Sequence, residues 1–344
     1  MAEPPRRVVV AAPNWLGDAV MGLPAVRAVR AHAPAAHLAV AARPSVAALY
    51  AMVPEVDAVI PLSPRAPLWR TAAWQQDAAR LAAERFELAL LLPNSFMAAW
   101  TAARAAIPER WGYAAGGRGR LLTRRVARPP GRPHQADYYL TLVAALGLPT
   151  VPRVAPIVVP ETARQAAAAL LDDTAGRAFV VLAPGAAYGR AKQWPPTSFA
   201  TLALRLWRER GLAAVIVGAG GDAVASAELR DALRRLDGGR PALAALVDLV
   251  GRTDLATLAA VLERAHAVVA NDSGAMHVAS AVGRPVVAIF GPTDERATAP
   301  MGPHTLVRHD VFCRPCLLRA CPIDHRCLRR IDAADVVEAV ARHL

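Results

Sequence analysis

The chain has 344 residues, 54% of them hydrophobic, and its 40 basic against 28 acidic side chains give a formal net charge of +12. That length is too great for one ordinary core and predicts two domains, and the apolar content excludes a disordered chain. No apolar run approaches the roughly 20 residues that cross a bilayer, so no membrane-spanning helix is expected.

Arg6 and Arg7 stand at the start of the first predicted strand, residues 7–13 (RVVVAAP). This apolar stretch is too short for a secretory signal and no small-residue cleavage site follows it, so a cytoplasmic location is expected. Further strands are predicted at 37–42, 56–62 and 86–94, with amphipathic helices over 19–33 and 72–85. A proline-rich break, GLPTVPRVAPIVVPETAR, covers the region around 147–165, and then the pattern starts again. Strands at 178–185, 212–220, 246–251, 267–274 and 285–293 alternate with helical stretches at 198–211, 223–236, 255–265 and 275–283. Residues 332–344 form a last helical stretch. Near-continuous apolar strands alternating with helices imply buried parallel sheets. The reading is an α/β chain of two doubly wound, Rossmann-like parallel-sheet domains facing across a cleft: residues 1–155, residues 156–330, and a C-terminal helix over 331–344.

In such sheets ligands bind beyond the carboxyl ends of the strands. Strand 178–185 runs into GAAYGRAKQWPP, which holds the single lysine of the chain, Lys192; the other 39 basic residues are arginine. Strand 267–274 runs into Asn271-Asp272-Ser273-Gly274, where a helix opens with His277 one turn in. Free N–H groups at a helix start bind phosphate oxygens, and an ammonium beside them would neutralise a diphosphate. The bland alternatives are a lysine retained by chance and a packing histidine. Strand 7–13 runs into Asn14-Trp15-Leu16-Gly17-Asp18. Asp18 is either a cap or first-turn charge of the next helix, or a carboxylate able to take a proton from a hydroxyl. The turn Pro93-Asn94-Ser95-Phe96 ends the fourth strand on the same side. The chain has no full G-x-G-x-x-G fingerprint, Walker loop, D-x-D pair or G-x-S-x-G elbow.

Seven arginines and no acid lie between Arg110 and Arg132, among glycines and prolines. A loop of that kind suits a polyanion, such as an anionic membrane surface or a phosphorylated substrate. Aromatic residues do not interleave with the arginines from 118 onward, which counts against nucleic acid as partner. All four cysteines, Cys313, Cys316, Cys321 and Cys327, fall within 15 residues as C-x2-C-x4-C-x5-C. Two readings stand open: a metal clip with zinc or iron as the candidate ion, or reduced or redox-active thiols that staple a loop.

Four blocks, NWLGDAVMGLPAVRAVR, LLPNSFMAAW, LAPGAAYGRAKQWP and NDSGAMHVASAVGRPVVAIFGPT, resemble the ADP-heptose:lipopolysaccharide heptosyltransferases, in the family's order and over most of the chain. The likeness is greatest to members that add the second heptose of the inner core. The resemblance implies a GT-B fold and an inverting glycosyl transfer that requires no cofactor for its chemistry. It implies ADP-heptose as donor in the C-terminal domain and the anionic heptosyl-Kdo2-lipid A precursor as acceptor in the N-terminal one. It makes Asp18 the general base, Lys192 a contact to the donor phosphates and Asp272 the residue that holds the heptose, with Ser273, Gly274 and His277 on the diphosphate. Asp222 lies near where some relatives place a ribose-binding acid, but its turn departs from the pattern. Asn94, Ser95, Arg118, Arg120 and Arg124 are the acceptor-side candidates, and electrostatics would hold the enzyme peripherally on the cytoplasmic face of the inner membrane. The alternatives are transfer of the first heptose, transfer to a protein acceptor, and a basic nucleic-acid-binding protein.

Overall fold

The computed structural model describes residues 5–64, 67, 71–174, 176–238 and 241–344; residues 1–4 of the N-terminal stretch read above lie outside these. The chain divides into two compact units, Met1–Val158 and Val159–Leu344.

The first unit holds a six-stranded sheet: β1 (Arg7–Ala11), β2 (His37–Ala42), β3 (Ala58–Pro61), β4 (Leu88–Leu91), β5 (Glu109–Tyr113) and β6 (Arg124–Val126). Every pair is parallel and the order is β3-β2-β1-β4-β5-β6. The second unit repeats the plan with β7 (Phe179–Ala183), β8 (Ala213–Ile216), β9 (Leu246–Asp248), β10 (Ala267–Asn271), β11 (Val286–Phe290) and β12 (His304–Arg308). Its order is β12-β11-β10-β7-β8-β9, again parallel throughout. Counted from each unit's first strand, both orders are 3-2-1-4-5-6, the dinucleotide-fold order.

Burial explains which strands form the centre. Every residue of β4, β7, β8, β10 and β11 is buried, because helices cover both faces. The edge strands β6 and β12 carry arginine and histidine and are largely exposed, as edge strands commonly are. The helix expected over 19–33 is two helices, Leu16–Met21 and Leu23–His32, with Pro24 in the first turn of the second. Proline has no N–H to continue the ladder and is tolerated only near a helix start. The last helix, Ala333–Ala341, contributes Val336, Val337 and Val340 to the same core as Trp194, Phe199 and Leu206, so it belongs to the second unit. Among the described residues no helix is long and apolar enough to cross a membrane.

Candidate functional site

In each unit the strand order reverses between two neighbouring strands, β1 and β4 in the first, β7 and β10 in the second. Their connections leave in opposite directions and open a crevice at the carboxyl ends. Asp18, Asn94 and Ser95 in the first unit, and Lys192, Asp272, Ser273, Gly274 and His277 in the second, follow the strands at these points.

In the second unit Ala183 of β7 pairs with Ala270 of β10, so the two exits start side by side. The Lys192 ammonium lies 2.6 Å from Asp272 Oδ2, with the two side chains 13% and 6% exposed. Asp272 Oδ1 also accepts from Thr298 Oγ1 at 3.4 Å. The Lys192 ammonium sits 4.7 Å from the centroid of the Tyr188 ring. An ammonium has three N–H donors, and the salt bridge uses one. The helix Gly274–Ala281 begins next to this pair. Its N-cap, Ser273, makes no side-chain cap bond, and the buried Ser273 Oγ has no partner among the described residues. A buried hydroxyl left unmatched costs about 1–3 kcal/mol, so it marks a place for a ligand oxygen. His277 is buried in the first turns of the same helix.

Asn271, which the pattern alone does not single out, holds this arrangement, and Asp222 lies beside it. Asn271, wholly buried at the end of β10, donates from Nδ2 to Pro184 O at 2.7 Å and accepts from Trp194 N at 3.0 Å. It thereby pins both ends of the loop that carries Lys192. Asp222 accepts from Ala219 N at 2.9 Å and lies against Gly185 and Gly218, where any Cβ would strike its carboxylate. Burial raises its carboxyl above the ordinary range, and the Ala219 bond works in the opposite direction. The structure therefore puts Asp222 at the mouth of β7 and β8, although its turn departs from the expected pattern.

In the first unit Asp18 is the third residue of its helix, and the N-cap is Trp15, which makes no side-chain cap bond. Asp18 is half-buried. Two buried phenols, Tyr50 and Tyr139, hold their protons more tightly, mainly through burial and further through the negative field of Asp18. Across the switch point, Asn94 Nδ2 donates to Tyr138 Oη at 2.8 Å, and Ser95 Oγ caps the helix Phe96–Arg104 by accepting from Ala98 N at 3.2 Å. Trp15 and Phe96, 48% and 46% exposed, begin the two loops' helices with open aromatic faces. A cavity of about 50 Å³ lies at the ends of β1, β2 and β4, with Asn14, Arg43 and Ser95 among its polar lining.

The arginine segment departs from the expected loop. Arg110 lies in β5 and donates to Leu121 O at 2.7 Å, and residues 124–126 are the edge strand β6. Arg118, expected to meet the acceptor, is fully buried. Its Nε donates to Tyr113 O at 3.0 Å and its Nη1 to Pro93 O, and Ser95 O and Asn94 Oδ1 lie 3.5 Å away. Burial pulls its pKa down to about 10, which still leaves it charged at neutral pH. Arg118 thus positions the Pro93–Ser95 turn from below. Arg120, Arg124, Arg125, Arg128 and Arg132 remain exposed, with the Arg124 guanidinium 4.5 Å from the Trp111 ring centroid. We expect Arg118→Met to cost on the order of 3 kcal/mol in urea unfolding, because it strips several buried carbonyls of their donor, while Arg120→Met should cost less than about 0.5 kcal/mol.

The family model for glycosyltransferase family 9 (heptosyltransferase) matches residues 74–326, more than half of the chain. The chain belongs to glycosyltransferase family 9. Family 9 relatives cover most of its length. Lipopolysaccharide heptosyltransferase 2 of Salmonella typhimurium is 31% identical over 307 residues, 86% of this chain and 85% of that protein. The enzyme of the same name from Escherichia coli K12 is 30% identical over the same shares. The solved structure of E. coli ADP-heptose lps heptosyltransferase II superposes with a TM-score of 0.82 at 28% identity, covering 98% of each chain. This family 9 chain is a glycosyltransferase, and its two six-stranded parallel sheets follow the GT-B plan.

Proposed function

We propose that this chain transfers heptose from ADP-heptose to the heptosyl-Kdo inner core of a lipopolysaccharide precursor, adding the second heptose with inversion at the anomeric carbon. The observation that carries the donor side is the buried Lys192–Asp272 pair beside a helix start whose Ser273 hydroxyl lacks a partner. An ADP leaving group has the chemistry to satisfy all of these. Lys192 gives its spare N–H donors to the diphosphate, Ser273, the Gly274 amide and His277 add to them, and Asp272 accepts from a heptose hydroxyl. Asp222, beside the β7 exit, suits a ribose hydroxyl.

On the acceptor side Asp18 takes the proton as the acceptor hydroxyl forms its bond to the anomeric carbon and the bond to the diphosphate oxygen breaks. One base and one stabilised leaving group are what a single displacement needs, and inversion follows from it. Asn94, Ser95, Trp15 and Phe96 suit a sugar acceptor, polar groups meeting hydroxyls and aromatic faces meeting C–H faces. The exposed arginines Arg120, Arg124, Arg125, Arg128 and Arg132 suit the phosphates and carboxylates of the precursor and would keep the enzyme peripheral on the cytoplasmic face of the inner membrane.

A turnover assay with ADP-heptose tests this. Acceptors carrying zero, one and two heptoses are compared, together with a serine-rich protein. Product from the one-heptose acceptor alone is the expected result. Product from the zero-heptose acceptor would make this the first-heptose enzyme, product from the protein would redirect the activity altogether, and no product from any would overturn heptosyl transfer.

A further inference from the structure

Heptosyl transfer leaves the four cysteines unused. In the folded chain Cys313, Cys316, Cys321 and Cys327 line a single cavity of about 20 Å³, together with Pro292, His325 and Arg326, whose guanidinium is paired with Asp324 at 2.9 Å. That is room for one water-sized particle. The His325 amide donates to Cys321 Sγ at 3.3 Å, a bond that stabilises negative charge on sulfur. Four thiols turned onto one small space repel one another as thiolates, and a thiophilic divalent cation removes that repulsion.

The segment that carries them is clamped onto the Lys192 loop. Tyr188 Oη donates to Leu317 O at 2.8 Å, and Ala191 N donates to Arg319 O at 3.3 Å. The Arg319 guanidinium lies 5.1 Å from the Tyr188 ring centroid, and Lys192 sits over the same ring. Gly189 has φ 145°, and a Cβ there would strike Arg319 O. On the other side Arg314 donates to Gly291 O at 2.6 Å and pairs with Glu295 at 2.6 Å.

We propose that the four sulfurs ligate one zinc or ferrous ion, and that this ion fixes the segment against which the Lys192 loop is held. The donor set is all cysteine sulfur, which selects zinc or iron over calcium or magnesium. Among the described residues no three His, Cys, Asp or Glu side chains are placed to hold a metal ion as they stand, so ligation requires the four sulfurs to close in on the cavity. Binding is thus coupled to the order of the loop. The second half of the proposal rests on the donor assignment made above.

The test begins with the wild-type chain purified anaerobically without chelators. About one zinc or iron per chain by mass spectrometry is expected, with fewer than four thiols titrating until the ion is removed. Cobalt(II) added to the stripped protein should give tetrahedral thiolate absorption, absent in Cys321→Ser. Calorimetric affinity for ADP should fall about tenfold on stripping, within the usual range for linked sites, and return with zinc or iron. A chain that retains no ion, titrates four free thiols and gives no cobalt spectrum would overturn the site. An ion present whose removal leaves ADP affinity unchanged would overturn its hold on the Lys192 loop. An ion present with no ADP binding in either form would sink the donor assignment and leave the metal site standing.

Discussion

Asp18→Asn is expected to lower kcat by about 10²–10⁴-fold, the usual worth of a positioned general base, while ADP-heptose binding stays near the wild-type level. Asparagine keeps the size and polarity of the side chain and removes its basicity. The N-cap of that helix is Trp15, so the substitution takes away no cap, and the lost first-turn charge costs about 0.3–1 kcal/mol. Single-turnover kinetics with calorimetric binding of the donor separate the two effects. Retained turnover would reduce Asp18 to a helix charge. Loss of donor binding in parallel with turnover would mean that the substitution had disturbed more than the base.

Lys192→Arg is expected to lose about 10²-fold in kcat/KM although the charge is kept. The ammonium occupies a narrow place, 2.6 Å from Asp272 and 4.7 Å from the Tyr188 ring centroid, with little solvent around it. A planar guanidinium fills more of that space and brings its donors in a fixed fork. Lys192→Ala should behave differently. It strands Asp272, which is 6% exposed, without its counter-charge, at a cost on the order of 3 kcal/mol in denaturant unfolding. A variant that loses activity at full stability, beside one that loses both, would separate the role in phosphate binding from the role in the ion pair. Full activity of Lys192→Arg would mean that the chain's one lysine is not needed as a lysine.

The sheets were legible wherever a strand is buried on both faces. The runs around β1, β4, β7, β10 and β11 are almost wholly apolar, and only a central parallel strand needs that. β5, β6 and β12 escaped the same reading because they lie toward the sheet edges and carry Glu109-Arg110, Arg124-Arg125 and His304 with Arg308. Lys192, Asp18 and Asp272 could be picked out as candidates because each follows a strong strand signal, and the fold brings Lys192 and Asp272 together. Arg118 was not. Seven arginines in one segment look alike in sequence, and which one turns inward depends on the carbonyls of Tyr113 and Pro93, brought within its reach by the fold. Asn271 was hidden for a similar reason: its two partners, Pro184 and Trp194, are about eighty residues away along the chain.

The place of the helix Ala333–Ala341 in the second core sets an order of events during synthesis. The half bearing Asp18 has all six strands by residue 126 and can close its core while translation continues. The half bearing Lys192 must wait until residues 336–340 have left the ribosome, with the apolar sides of β11 and of the helix Pro196–Arg210 lacking part of their cover until then. A nascent chain that stalls early therefore presents a finished first unit tethered to a second one whose apolar surface is still open.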